Sequence, residues 1–380
     1  MSDSTAAVGD RVVVERRHLD ALVVVLRREH RVVGPVVRDH AIVYGELPSL
    51  DALPIGWSDQ QEAGYYRLTP SGHGALFSHN PGPDTWKREL FPPQALLFEA
   101  RRQGRSFEVI ASDGDVSAPL ALVGVRACEL HAMAIQDRVL CDGPFADADY
   151  RERRQRAFIV AVNCAQAAPT CFCTSMAAGP QVESGHDLAL TELLDDGGHR
   201  FVVEVGSERG ASVLAQLQWR APAPAELAAA AAVPAGVAAA ITRRLDRTAA
   251  AAGLAGQPEH PHWQAVADRC LSCGNCTAVC PTCFCTTVED RSGLDGDATA
   301  RWRRWDSCFT TEFTYTHGHC TRCSPRARYR QWLTHKLSTW HAQFGSPGCV
   351  GCGRCIVWCP VGIDITAEAS ALLGTAEALP

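Results

Sequence analysis

The chain has 380 residues and a mass of 41.0 kDa, which exceeds the usual size of one compact core and favours two domains or three. Its 46% hydrophobic and 21% charged residues are ordinary for a globular protein, and a net charge of -6 gives no indication of a nucleic-acid partner. The unusual feature is the presence of 18 cysteines. Disulfide frameworks belong to short secreted chains, and the apolar run 21–26 after Arg16-Arg17 is too short for an export signal or a membrane span. We therefore expect reduced thiolates in a cytoplasmic protein.

The first part of the chain mixes helical and strand patterns. Residues 19–28 have apolar residues at helical spacing, whereas residues 41–47 and 65–70 have the composition of strands. The clearest unit follows at 119–164. There an apolar strand-like run, a segment with helical spacing and a second apolar run occur in that order at 119–126, 128–140 and 157–164. This order predicts a βαβ unit with a parallel strand pair, and hence an α/β domain over residues 1–220.

Residues 221–256 differ in composition from what precedes them, because they are rich in alanine with interspersed proline and glycine. We interpret them as a helical linker and domain boundary, although a plain surface helix would have the same composition. Residues 257–380 then form the second predicted domain. The hexapeptide PTCFCT occurs at 169–174 and again at 281–286, which indicates one local geometry used twice.

The second domain contains the pattern C-x2-C-x2-C-x3-C-P twice, at 270–281 and at 349–360. This is the bacterial ferredoxin pattern, in which three thiolates of one run bind one [4Fe–4S] cluster and the fourth binds the other cluster. The sequence therefore predicts two interlocked clusters. The predicted ligands are Cys270, Cys273, Cys276 and Cys359 for cluster 1, and Cys349, Cys352, Cys355 and Cys280 for cluster 2.

Zinc is the rival metal, but its thiolate sites usually consist of two separated C-x2-C pairs, and neither run has that form. Gly274, Gly351 and Gly353 leave room for backbone N–H groups to approach the sulfurs. The 68 residues between Cys280 and Cys349 include a helical pattern at 326–344. We expect a mainly helical, ferredoxin-like dicluster domain with an insertion, and an α+β fold for the whole chain.

Ten cysteines lie outside the two runs, and four of them belong to the predicted βαβ unit and the loop after it. Parallel strands would bring their carboxyl ends to one edge of the sheet, where α/β folds place their sites. We predict a third metal site there, another [4Fe–4S] cluster; buried thiols are the alternative. Its predicted ligands are Cys128, Cys164, Cys171 and Cys173.

The remaining cysteines match no standard ligand spacing, and we interpret Cys283, Cys285, Cys308, Cys320 and Cys323 as structural. The sequence also contains no G-x-G-x-x-G, Walker or G-x-S-x-G motif. Clusters without a substrate site describe an electron conductor with no catalytic centre of its own, which needs partners at both ends. A chain that is itself an enzyme, with the third site catalytic, is the alternative of a different class.

Several phrases together resemble the beta subunit of cytoplasmic sulfhydrogenase-type nickel–iron hydrogenases and, similarly, the first subunit of anaerobic sulfite reductase. They cover most of the chain from about residue 85 onward, and the N-terminal cysteine phrases are more specific than the ferredoxin runs. The phrases are VRACELHAMAIQDRVL (125–140), VNC (162–164), CFCTSMAAGP (171–180), DLALTEL (187–193), CLSCGNCTAVCPTCFCTTVED (270–290), RYRQWLTHK (328–336) and CVGCGRCIVWCPVGIDI (349–365).

The resemblance implies a protein that relays electrons between a flavoprotein that reacts with NAD(P)H and the small and large subunits of a nickel–iron hydrogenase. The same relay in an anaerobic sulfite reductase or another reductase is the nearest alternative. The resemblance also favours the N-terminal cysteine quartet as a ligand set. Cys320 and Cys323 depart from it, because they fall where less cysteine-rich sequence is expected in the family.

Overall fold

The computed structural model describes residues 6–111 and 118–375. Its α-helices are α1 (Arg16–Leu26), α2 (Lys87–Leu90), α3 (Ala127–Cys141), α4 (Ala148–Arg156), α5 (Glu208–Leu214), α6 (Pro224–Ala240), α7 (Arg247–Gly253), α8 (His262–Ala267), α9 (Asn275–Ala278), α10 (Pro325–Thr334), α11 (Trp340–Phe344), α12 (Arg354–Val357) and α13 (Ile365–Leu373). A π-helical turn, His335–Thr339, joins α10 to α11.

The strands are β1 (Arg11–Glu15), β2 (Arg31–Arg38), β3 (Ala41–Glu46), β4 (Trp57–Glu62), β5 (Tyr65–Pro70), β6 (Gln94–Gln103), β7 (Ser106–Ala111), β8 (Leu120–Val125), β9 (Phe158–Val162), β10 (Leu188–Asp195), β11 (Gly198–Val205), β12 (Thr286–Ser292), β13 (Ala298–Trp305), β14 (Tyr315–Thr316) and β15 (His319–Cys320). Within the described ranges, no helix has the length and apolar character needed to cross a bilayer.

A seven-stranded sheet of order β1-β11-β10-β9-β8-β2-β3 forms the centre of the N-terminal part. Its four middle strands, β10, β9, β8 and β2, are parallel, and the flanking strands pair antiparallel. Strands β8 and β9 are buried along their whole length, as expected for parallel strands with both faces covered. The carboxyl ends of β8 and β9 therefore lie side by side, each followed by a cysteine-bearing segment.

The helices and strands that the sequence predicts for this part are confirmed. Helix α1 overlaps the predicted 19–28, β3 and β5 match 41–47 and 65–70, and β8, α3 and β9 form the predicted βαβ unit with parallel strands. The alanine-rich segment is helical at α6 and α7, and α6 packs against β10 and β11. The mixture of helices and sheets agrees with an α+β fold.

The insertion between the two cysteine runs contains more β structure than the sequence predicts. Strands β12 and β13 form a hairpin, and β13 pairs antiparallel with β6 of the N-terminal part to give a second sheet of order β12-β13-β6-β7. The predicted helix at 326–344 is present as α10, the π turn and α11. The two strands are not evident in the sequence because they are charged and at most half-buried.

A buried ion pair joins the βαβ unit to the second cysteine run. Arg354 Nη2 donates to Glu129 Oε1 at 2.6 Å, and the two side chains are only 1% and 2% exposed. The carboxylate also accepts hydrogen bonds from Tyr44 Oη (2.7 Å), Trp86 Nε1 (3.0 Å) and the backbone N–H of Arg126 (3.0 Å). Every oxygen lone pair of this buried charge is thus matched by a donor, which offsets the cost of removing it from water.

Replacing Glu129 by alanine should therefore destabilise the protein strongly. The change leaves the Arg354 guanidinium buried without its counter-charge, which typically costs about 3–5 kcal/mol. The free energy of unfolding, measured by anaerobic urea denaturation, checks this.

The matched control is Arg11→Ala, which removes the half-exposed Arg11–Glu204 pair and should change the free energy of unfolding by no more than about 1 kcal/mol. Equal effects of the two substitutions would contradict a structural role for the buried pair.

Candidate metal centres

The two cysteine runs fold with the same backbone geometry. Ser272 and Gly351, each two residues after the first cysteine of its run, have φ angles of 51° and 67°. Gly274 and Gly353, two residues further on, have φ angles of 76° and 74°. Glycine adopts such left-handed angles without strain, so three of these four positions carry the residue that the geometry favours, and Ser272 is the exception.

This geometry directs backbone N–H groups at the first sulfur of each run. The N–H of Ser272 donates to Cys270 Sγ at 3.4 Å, and the N–H of Gly351 donates to Cys349 Sγ at 3.4 Å. The short helices α9 and α12 then follow directly after Gly274 and Gly353. Amide hydrogen bonds to sulfur stabilise the charge of cluster-bound thiolates, so both runs fit an iron–sulfur cube.

The first run is brought together with the last cysteine of the second run. Burial raises the pKa of Cys276 well above its ordinary value, and the neighbouring thiols of Cys270, Cys359 and Cys273 raise it further. These four cysteines line one pocket with an empty volume of about 430 Å³. Aromatic and aliphatic side chains complete its wall: Leu271, Phe309, Tyr329, Trp332, Val361 and Ile363.

The second run is brought together with the last cysteine of the first run in the same way. Burial raises the pKa of Cys355 well above its ordinary value, and the thiols of Cys349, Cys352 and Cys280 add to the shift. Burial likewise raises the pKa of Cys349 to about 12. The exchange of fourth cysteines that the sequence predicts is thus the arrangement of side chains in the fold.

A buried lysine lies against the second group. Lys336 Nζ donates to Cys280 Sγ at 3.1 Å, to Thr282 Oγ1 at 2.9 Å and to the carbonyl oxygen of Gly348 at 3.2 Å. Sequence reasoning places Lys336 only within a basic helical segment, because nothing in the local pattern distinguishes an inward-facing lysine. Its π-helical turn supplies the extra residue that shifts the helix face at this point.

The four cysteines of the predicted third site also come together. Cys128 lies in the first turn of α3, Cys164 follows β9 by two residues, and Cys171 and Cys173 lie in the next loop. Burial raises the pKa of Cys171, and the thiols of Cys173 and Cys164 raise it further. Burial also raises the pKa of Cys128, with a contribution from Cys173. The edge of the sheet therefore gathers this quartet, as the strand order predicts.

The third group lies directly beside the second. The N–H of Phe172 donates to the carbonyl oxygen of Gly351 at 2.9 Å, so the loop of the third group packs on the second cysteine run. A Cβ on Gly351 would lie 2.6 Å from the carbonyl carbon of Phe172, and one on Gly353 would lie 2.5 Å from the carbonyl oxygen of Thr170. Cys352 is close enough to Cys128 to raise the pKa of that thiol. The three groups are thus ordered third, second, first.

The cysteines interpreted as structural occupy two places. Cys283, Cys285 and Cys308 are partly or fully buried next to the second group, and Lys87 Nζ donates to the carbonyl oxygen of Cys283 at 3.0 Å. Cys320 and Cys323 lie apart, near the surface. Among the described residues, no three His, Cys, Asp or Glu side chains converge tightly enough to hold a single metal ion. The thiolates on a cube stand farther apart than the ligands of one ion, so a cube has a different geometric requirement.

Adding a methyl group at Gly351 should disrupt the contact between the second and third groups. The Gly351→Ala Cβ would clash with Phe172 in addition to the cost of its positive φ, so we expect lower stability and a lower iron content per chain. Urea denaturation and iron analysis of anaerobically isolated protein measure both.

Gly345 provides the matched control, because its φ is +68° and a Cβ there meets nothing within 4 Å. Gly345→Ala should cost only the left-handed backbone term, roughly 1–2 kcal/mol, and leave the iron content unchanged. If both variants behaved alike, close packing at Gly351 would not be what matters.

Comparisons with known proteins agree with this geometry. A family described as a 4Fe-4S dicluster domain matches residues 269–363, and a second family of the same description matches residues 223–284. The chain is 29% identical over 342 residues to sulfhydrogenase 2 subunit beta of Pyrococcus furiosus, and the similarity covers 89% of this chain and 91% of the relative. No solved structure matches the chain. The resemblance to the sulfhydrogenase beta subunit is confirmed, and the chain is an iron–sulfur protein with a role in electron transfer.

Proposed function

We propose that the chain is a cytoplasmic electron-transfer subunit of a multisubunit oxidoreductase, and that it holds three [4Fe–4S] clusters. In this proposal it relays electrons between a flavoprotein that reacts with NAD(P)H and the small and large subunits of a nickel–iron hydrogenase. The observation that carries the proposal is the adjacency of three cysteine quartets, linked through Cys352 and the Phe172–Gly351 contact. A catalytic centre would need no such row of sites, whereas a conductor does.

The ligands proposed for the clusters are those that the fold gathers. They are Cys270, Cys273, Cys276 and Cys359 for cluster 1, Cys349, Cys352, Cys355 and Cys280 for cluster 2, and Cys128, Cys164, Cys171 and Cys173 for cluster 3. When bound, the clusters supply reversible one-electron storage. The chain excludes water from most of the sulfurs and directs amide and ammonium donors at them.

One end of the row reaches the protein surface. Cys273 is exposed, Leu271 is 63% exposed and Val361 is 39% exposed, and all three border the pocket of the first group. Apolar side chains at a surface position beside a redox group are suited to contact with a partner protein. We infer that electrons are exchanged with one partner near this patch, and with the other partner nearer the third group.

Isolation from native cells tests the assembly. Anaerobic co-purification should recover a flavoprotein and nickel–iron subunits with this chain. Recovery of a siroheme protein instead would assign the same relay to a sulfite reductase, and turnover of a substrate by the purified chain alone would make it an enzyme in its own right. A colourless protein without iron would refute the relay altogether.

Removing a ligand of the third group should remove one cluster and leave two. Cys171→Ser is expected to lower the iron content from about twelve to about eight atoms per chain, at four per cube. Iron analysis and electron paramagnetic resonance of the reduced protein measure this.

Cys141→Ser is the matched control, since Cys141 lies at the end of α3 outside all three groups. It should leave the iron content unchanged. An unchanged iron content in Cys171→Ser would remove the third cluster from the proposal and leave a two-cluster relay.

Lys336 should raise the reduction potential of the second cluster, because its ammonium group lies 3.1 Å from Cys280 Sγ and favours the more negative, reduced state. Lys336→Met is expected to lower that potential by roughly 40 mV or more, since a unit charge at about 4 Å contributes about 1 kcal/mol even at the dielectric constant of water. Potentiometric titration followed by electron paramagnetic resonance measures the shift.

Lys87 gives the comparison, because it is buried nearby but donates to the carbonyl oxygen of Cys283 rather than to a cluster sulfur. Lys87→Met should produce a smaller shift. A larger shift in Lys87→Met than in Lys336→Met would contradict the assignment of Cys280 to cluster 2.

A further inference from the structure

A pair of cysteines lies outside all three groups, in the part of the chain that departs from the sulfhydrogenase resemblance. Cys320 ends the short hairpin strand β15, and Cys323 precedes Ser324, which caps helix α10. Residues 321 and 322 form the turn between them. Cys323 is exposed and Cys320 is half-buried, whereas most of the proposed cluster ligands lie deeper. The pair is thus open to molecules from solution.

The turn holds the two sulfurs close together. Cys323 Sγ donates to the carbonyl oxygen of Cys320 at 2.7 Å, and the Cys323 thiol also lies within hydrogen-bond reach of the Cys320 sulfur. A turn of four residues keeps its end Cα atoms within about 7 Å, which overlaps the separation found across disulfides. Formation of a bond between these sulfurs needs a rotation of side chains rather than a refolding of the chain.

Neighbouring groups fix this geometry. Arg328 is 6% exposed, and its Nη1 donates to the carbonyl oxygens of Arg322 (3.3 Å) and Cys323 (3.1 Å). On the other side of the turn, the N–H of Thr321 donates to the carbonyl oxygen of Thr314 at 3.0 Å. The turn is therefore anchored at both ends, which reduces the entropy that closing a disulfide would otherwise cost.

We propose that Cys320 and Cys323 form a reversible thiol–disulfide site that reacts with small-molecule disulfides of the glutathione type. The Cys320 thiolate attacks one sulfur of the small disulfide, whose S–S bond breaks and releases one small thiolate. Cys323 then loses its proton and attacks Cys320 Sγ, which releases the second small thiol and closes the protein disulfide. Two protein thiols are oxidised and one small disulfide is reduced to two thiols, so electrons and protons balance.

The chemistry of the pair supports this order of attack. The hydrogen bond from Cys323 lowers the pKa of Cys320, and the charge of Arg328 acts in the same direction. The pKa of Cys323 is raised by the same hydrogen bond, viewed from the donor. One thiol is thus the better nucleophile and the other keeps its proton until the second step, which is the division of roles in C-x2-C exchange sites.

A bound metal is the other use of a C-x2-C pair, and the nearby His317 and His319 are the residues that would complete such a site. Within residues 6–111 and 118–375, these side chains do not converge into a group that could hold a metal ion. His319 follows the turn of the hairpin and is adjacent to Cys320 in the same strand, so the two side chains point to opposite faces. The geometry favours the disulfide.

The test uses the full chain, isolated anaerobically with its iron. The protein is equilibrated with mixtures of reduced and oxidised glutathione, alkylated and digested with trypsin, which cuts after Arg322 between the two cysteines. Oxidised glutathione in excess should produce two peptides linked through Cys320 and Cys323, and dithiothreitol should separate them. Iron content is measured in parallel, so that oxidation of cluster ligands is recognised.

The same peptide that carries Cys320 also carries Cys308, so the Cys320→Ser variant decides which sulfur is linked: the linked pair should disappear in it and persist in the control Cys141→Ser. The proposal fails if Cys323 is recovered unreacted or only with glutathione attached, or if the linked pair persists in Cys320→Ser. It also fails if the isolated protein carries one zinc ion that Cys320→Ser removes. None of these outcomes bears on the three cluster groups, so the relay proposal is tested separately.

Discussion

The buried ion pair between Glu129 and Arg354 is the interaction on which the arrangement of sites depends. Glu129 directly follows Cys128, and Arg354 lies between Cys352 and Cys355 in sequence. One contact of 2.6 Å therefore fixes the position of the third cysteine group relative to the second. Since neither charge is exposed to water, the two elements cannot separate without leaving a charge unpaired in the interior.

Charge in the interior is also the main constraint on the cysteine groups themselves. Thiols packed among apolar side chains resist ionisation, and burial raises the pKa values of Cys276, Cys355 and Cys128 well above their ordinary range. A cofactor that carries positive iron ions removes this penalty, because a metal-bound thiolate is no longer an isolated anion. The amide donors at Cys270 and Cys349 contribute in the same sense.

The elements that determine the sites are easier to predict from the sequence than the contacts between them. The spacing of cysteines in each run, the βαβ unit and the gathering of four cysteines at the sheet edge follow from local patterns and strand order. The ion pair of Glu129, the lysine beside Cys280 and the pairing of β13 with β6 join residues far apart in the chain. No local periodicity reports such pairings. The hairpin β12–β13 is hard to predict because its many charged residues resemble a loop.

The second sheet has a consequence for the order in which the molecule is built. Its strand β6 is synthesised long before β13, and one edge of the β6–β7 hairpin lacks its neighbour until the segment after Cys280 has emerged. Pairings between distant segments form late in folding, because a long loop must close first. The ribosome thus releases most of the chain before this sheet can be completed. Delivery of iron and sulfide to the interlocked runs is tied to the same late stage, since Cys359 and Cys280 come together only when the carboxyl-terminal run is present.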